Sequence, residues 1–177
     1  NRRHDRYDAL ELRAERGLGK GYRWMGAYTR SSARSDAVLS LALTNPVFGR
    51  LGQGPLDWDT PHRLVSSAWL PVRGKYGIAY LLEWRSGYPF SVFSEKSGLV
   101  GPPNNRRYPA YFSLNVEVER RLRVWKHQWG LRLGFINITN HKNPNAVNNT
   151  LESPNFLHFS GGQKRAFATR IRFIGRS

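Results

Sequence analysis

The sequence predicts an all-β fold: an antiparallel sheet of about seven long strands, built as a segment of a transmembrane β-barrel. Three observations lead there. Apolar and polar residues alternate with period 2 along successive stretches, which gives each strand one apolar and one polar face. The best stretches run nine to eleven residues, against ~5–6 for strands of soluble proteins and ~9–11 for strands that cross a bilayer at a tilt. The connections alternate short and long, as in barrels with short periplasmic turns and long extracellular loops.

Ala9 to Arg16 is the first strand, with Leu10, Leu12 and Ala14 alternating with Glu11, Arg13 and Glu15. The glycine-rich stretch at 17–21 ends it. That stretch lacks the Lys-Ser/Thr end of a phosphate loop, and Tyr-Arg-Trp follows it rather than a helix, so it reads as a tight turn. Tyr22 to Ser32 is the second strand, with Tyr22, Trp24, Gly26 and Tyr28 on one face. A long connection runs from Ser35 to Pro61, with a short helix or strand expected over Leu39 to Thr44. His62 to Leu70 is the third strand; its pattern is weaker, because Val65 and Trp69 oppose Leu64, Ala68 and Leu70. After a turn at Pro71 to Lys75, Tyr76 to Arg85 is the fourth strand. Tyr76, Ile78, Tyr80, Leu82 and Trp84 face one way; Gly77, Ala79, Leu81, Glu83 and Arg85 face the other.

A second long connection, Ser86 to Pro109, leads into a hairpin over 108–137. Phe112, Leu114, Val116 and Val118 share a face opposite Ser113, Asn115, Glu117 and Glu119. Trp129, Leu131, Leu133 and Phe135 stand opposite Gly130, Arg132 and Gly134, and a basic connection from Arg121 to His127 joins the two arms. The third long connection, Thr139 to Lys164, precedes a last strand from Arg165 to Phe173. No helix of ordinary length is expected.

Composition narrows the function. The net charge is +16 and aromatics make up 13% of the chain. Such a charge on a soluble protein points to nucleic acid, and a basic all-β nucleic-acid-binding module is the alternative reading. The charge is spread along strands and loops rather than gathered in a tail, which favours the barrel and no nucleic-acid partner. The absence of cysteine excludes disulfide frameworks and thiol nucleophiles. No run of about 18 apolar residues suggests a spanning helix. The opening NRRHDRYD has no apolar segment of a signal peptide behind it. Asn1 in place of an initiator Met leads us to expect the middle of a longer protein. Tyr76 and Trp84 share a face eight residues apart, ~20 Å vertically once tilted, which suits the two rims of an apolar band ~25 Å tall.

The segments PLDWDTPHRL (55–64), WRSGYPFSV (84–92), GPPNNRRYPAYFSLNVEVERRL (101–122) and GFINITNHKNP (134–144), in this order, resemble the C-terminal end of the barrel in TonB-dependent outer-membrane receptors. The closest resemblance is to receptors with an N-terminal carboxypeptidase-regulatory-like domain. It implies about seven C-terminal strands of a 22-stranded barrel over residues 1–177, with the plug domain, signal peptide and N-terminal strands absent. It further implies the bacterial outer membrane as location. The partners it implies are membrane lipid and lipopolysaccharide, the rest of the barrel and its plug, an inner-membrane energy-transducing complex acting through the plug, and an unknown ligand taken up at the cost of energy. A non-transporting structural outer-membrane barrel is a further alternative. Phe173, preceded at even spacing by Phe167 and Ile171, matches the family's terminal aromatic, although Ile174 to Ser177 follow it.

On this reading the chain is not an enzyme and carries no catalytic, cofactor or metal site. Asp57 and Asp59 are read as part of the entry to a strand rather than as a calcium or acid–base pair. The histidines lack metal spacing, and no nucleophile elbow is present. Asn137-Ile138-Thr139 and Asn148-Asn149-Thr150 match the glycosylation pattern by chance. Glu11, Arg13, Glu83, Arg85, Glu117, Glu119, Arg132 and Arg170 are expected to face the lumen. Phe112, Leu114, Val116, Val118, Trp129, Leu131, Leu133 and Phe135 are expected to face lipid, so that a charge at Leu131 costs ~2–4 kcal/mol while changes at Arg132 are mild. Arg34, Arg50, Lys96, Arg106 and Arg107 are candidate loop contacts to a ligand or to lipopolysaccharide phosphates. Seven strands do not close a barrel, so an open sheet is expected for this chain alone.

Overall fold

The computed structural model describes residues 3–19, 21–38, 52–72 and 76–176. Among them it is all-β, with no helix. Seven long strands form one antiparallel sheet: β1 Asp5–Gly19, β2 Tyr22–Val38, β3 His62–Pro71, β4 Tyr76–Arg85, β5 Tyr111–Val124, β6 His127–Ile136 and β7 Ala166–Arg176. Their order in space is their order in sequence, with Gly52–Pro55 added beside β2. Neighbouring strands in the chain are neighbours in the sheet, which keeps every short connection a simple antiparallel return. β1 and β7 are the two edges and do not pair with each other, so the sheet is open.

Most strands are longer than the alternation alone indicates. β1 begins at Asp5 because it pairs with β2 without interruption from Asp5↔Ser35 to Gly17↔Arg23, and β2 continues to Val38, which pairs with Gly52. The hairpin connection differs most from expectation. Arg121, Leu122, Arg123 and Val124 pair with Gly130, Trp129, Gln128 and His127, which leaves only Trp125 and Lys126 as the turn. The run of basic residues hides a strand, because ladder hydrogen bonds are indifferent to side-chain charge and each arginine projects clear of the pairing edge. The last strand also passes Phe173: a register shift opposite Gln128 and Trp129 lets it run on to Arg176. Leu39 to Thr44 and Arg50 lie outside the described residues.

Register fixes the faces. Residues directly opposite one another in a ladder project to the same side. The pairs Phe112↔Trp84, Leu114↔Leu82, Val116↔Tyr80 and Val118↔Ile78 continue through Val116↔Phe135, Val118↔Leu133 and Leu122↔Trp129. On β7 they reach Phe167, Thr169, Ile171 and Phe173, and on the far side Leu64, Tyr28 and Leu12. One face of the whole sheet is therefore apolar.

Burial runs opposite to that of a water-soluble sheet. On the apolar face Leu133 is 44% exposed, Phe167 61% and Ile171 69%. On the polar face Glu119 is 3% exposed and Ser113 is buried. Apart from Ala68, the buried apolar side chains Ala33, Val38, Leu56, Phe90, Val92 and Phe93 lie instead where the long connections gather at one end of the sheet. The short connections lie at the other end.

Candidate functional site

Two surfaces carry the chemistry: the polar face of the sheet and the cap formed by the long connections. The polar face follows from the same register. Glu117 and Glu119 stand opposite Gly134 and Arg132, and Arg132 opposite Arg170. Arg63 stands opposite Arg85 and Val65 opposite Glu83. Glu11 and Arg13 stand opposite Thr29 and Ala27, which places them on the same side. All eight residues expected on one side by alternation are on that side, and the eight apolar hairpin residues are on the other.

The charges on this face are organised around Glu119. Arg132 Nε donates to its Oε2 at 2.6 Å, and the guanidinia of Arg121 and Arg172 stand 3.9 Å from its Oε1. Arg132 also reaches Glu117 at 3.5 Å, and its guanidinium lies 5.1 Å above the ring of Trp69. Trp69, which weakens the alternation of β3, faces the polar side and lies over Gly77, where a Cβ would come within 2.7 Å of the indole. This explains the glycine: its missing side chain admits the ring that carries the arginine. Arg63 pairs with Glu83 at 3.4 Å. Arg85 makes no ion pair among the described residues. Its guanidinium lies between Tyr88 and Tyr111, 4.0 and 4.6 Å from their ring centroids, beside a cavity of about 150 Å³. A cation held flat between two rings keeps outward-pointing donors for an anionic group.

The cap is latched by amide and carboxylate side chains. Asp59 is buried, accepts from the Ala33 amide at 2.6 Å and pairs with Arg107. Arg107 donates also to the Asp59 and Gly87 carbonyls, at 2.9 and 3.1 Å. Asn104 Nδ2 donates to the Pro55 carbonyl and to Asp57 Oδ1, at 2.8 and 2.7 Å. These bonds tie the first long connection to the second. The second meets the third where Phe93 exchanges backbone bonds with Asn149 and Leu151 at 3.0 and 2.8 Å. Phe90, Tyr108 and Phe159 pack edge to face beside it, and burial raises the Tyr108 phenol above its ordinary pKa. Ser94 donates to Glu152 at 2.5 Å, and the Glu95 amide donates to the same carboxylate at 3.1 Å. Those bonds, the serine's first, hold the Glu152 pKa below the ordinary value.

Asn137 closes the third connection onto the sheet. It is 2% exposed and sits at φ 50. Its amide group donates to the carbonyls of His141 and Gln163, both at 3.0 Å, and its oxygen accepts from the His141 amide at 3.1 Å. Its nitrogen is thus committed to the fold, and the glycosylation-like pattern there is structural. Asn143 brackets Phe112 with a bond to each of its backbone groups, at 2.9 and 2.8 Å. Sequence reasoning missed these clasps. Their only signal is the density of Asn in the connections, because its short uncharged side chain offers both a donor and an acceptor close to the backbone.

The expected loop cations separate accordingly. Arg107 is committed to the Asp59 carboxylate and to the Asp59 and Gly87 carbonyls. Arg34, Lys96 and Arg106 are exposed and remain open to an anionic partner. A cavity of about 650 Å³ in the third connection is lined by Pro109, His141, Lys142, Phe159, Gln163 and Lys164, among others. No family model, curated protein or solved structure matches this chain.

Proposed function

We propose that the chain is wall, lumen lining and outer loops of a bacterial outer-membrane β-barrel, the C-terminal segment of a TonB-dependent receptor or transporter. The observation that carries this reading is the reversed burial: Glu119 enclosed among arginines while Leu133, Phe167 and Ile171 stand open. Exposing a continuous apolar sheet face to water is costly at roughly 25 cal/mol per Å², and lipid removes that cost. Several polar atoms on the apolar face pair with one another, which lowers their cost in lipid. Trp24 Nε1 donates to the Tyr80 hydroxyl at 2.9 Å, Ser66 Oγ lies 3.0 Å from the same oxygen, and Tyr28 Oη lies 2.7 Å from His62 Nδ1.

On this reading the face around Glu119 and Arg132 lines the lumen, and further strands join the edges of β1 and β7. The cap faces the medium and captures ligand. The energy for passage comes from an inner-membrane complex acting on a plug within the completed barrel. The nucleic-acid alternative rests on the +16 charge, but Arg132, Arg63, Arg23 and Arg13 are each within 4 Å of a glutamate, which leaves fewer cations for phosphates than the charge suggests. Fractionation of the expressed protein tests the proposal. Recovery in the outer membrane, with gel mobility that changes on heating, is the expected result; recovery in the cytosol contradicts it.

A further inference from the structure

The apolar face is indented toward its short-turn end. Leu122, Trp125, His127, Trp129, Leu131 and Ile171 surround a cavity of about 360 Å³ there. Leu122, Trp129, Leu131 and Ile171 belong to the apolar face by register. Trp125 forms the turn between β5 and β6, is 89% exposed and sits at φ 53, a conformation that bulky residues rarely adopt. The turn therefore holds a large ring in the open beside an apolar hollow. His127 Nδ1 is buried there with no hydrogen-bond partner, which is costly for a polar atom unless something completes it.

One cation stands beside this hollow on the same face. Arg120 is directly opposite Leu131 and Tyr76 and two residues from Leu122 on the same face. Its guanidinium lies 5.2 Å over the Tyr76 ring, and it has no carboxylate partner among the described residues. Lys126 follows Trp125 in the turn. An apolar hollow, an orphaned imidazole nitrogen and an unpaired guanidinium on one patch match a molecule with an acyl chain and an anionic phosphodiester.

We propose that this patch binds one anionic glycerophospholipid of the phosphatidylglycerol type. The acyl chain lies on Leu122, Trp129, Leu131 and Ile171, and the phosphate meets Arg120. The proposal rests on the membrane reading above, because the periplasmic leaflet supplies such lipids at the short-turn end.

Native mass spectrometry of the full chain, extracted from outer membranes in mild detergent, tests it with phosphatidylglycerol and phosphatidylcholine of equal acyl chains. The expected result is one retained phosphatidylglycerol, bound roughly tenfold more tightly than phosphatidylcholine. Arg120→Gln abolishes the preference and leaves both lipids weakly bound. Trp125→Asn, which suits the positive φ, weakens both alike. Equal binding of the two lipids, binding of neither, or a preference that survives Arg120→Gln overturns the site while leaving the membrane reading intact. A protein recovered without detergent in the soluble fraction overturns the membrane reading, and the site with it.

Discussion

Arg132 crosses from β6 to β5 to place its Nε 2.6 Å from the carboxylate of Glu119, which is 3% exposed. The pair is the most enclosed ionic contact on the sheet, and it predicts a larger effect at Arg132 than alternation alone suggests. Truncating one partner of a buried pair leaves the other charge uncompensated, at ~3–5 kcal/mol when nothing else is near. Arg121 and Arg172 stand close enough to compensate in part. Arg132→Ala should therefore lower stability by about 2 kcal/mol, measured by urea unfolding in lipid vesicles. Glu119→Gln should cost more than Arg132→Ala, because it leaves Arg132, Arg121 and Arg172 facing one another without the carboxylate they share.

Leu131 lies midway along β6 on the opposite face. Leu131→Arg, across the ladder from the native Arg120, should be destabilising, though by less than the ~2–4 kcal/mol of a cation at the bilayer midplane, in the same unfolding measurement. A cost near zero would mean that water, not lipid, covers that face.

The Asp59–Arg107 latch predicts a local effect. Asp59→Ala removes the acceptor of both the Ala33 amide and Arg107. It should open the second long connection to limited proteolysis between Ser86 and Pro109 while leaving the protease resistance of β5 and β6 unchanged. Arg107→Lys should behave similarly, since a lysine does not reproduce donors aimed at Asp59 and Gly87 together.

Glu152 predicts a pH response in the cap. Its pKa is held down by Ser94 and the Glu95 amide, so its contribution is present above the ordinary carboxylate pKa of about 4 and is lost as pH falls through the lower folded value. Hydrogen exchange at the Glu95 amide should speed up below that value, and Glu152→Gln should flatten the response.

Much of this fold is legible in the sequence because the sheet is built on period 2. Tyr76 to Arg85 alternates without interruption, and its bounds and faces are those of β4. The face assignments of Glu117, Arg132, Leu114 and Leu133 follow the same rule. Alternation fails where pairing does not depend on side chains. Arg121 to Val124 is strand because His127 to Gly130 supply its ladder partners, and no local pattern records that. Trp69 breaks the alternation for a reason visible only in three dimensions, the space above Gly77. The cap is the least legible part. Asn104, Asn137 and Asn143 act on backbone groups from four to about fifty positions away, and nothing in the neighbouring residues announces the partner.

The central claim is that one face of this sheet meets lipid and the other an aqueous lumen. The chain contains no cysteine, so single cysteines introduced from position 112 to 119 and from 129 to 135 can each carry one spin label without background. Collision rates with oxygen, which concentrates in lipid, and with a water-soluble nickel chelate then report the environment of each position. The account predicts a period of two: oxygen-accessible at 114, 116, 118, 131, 133 and 135, and chelate-accessible or shielded at 115, 117, 132 and 134. Equal access of the chelate to both sets would contradict it.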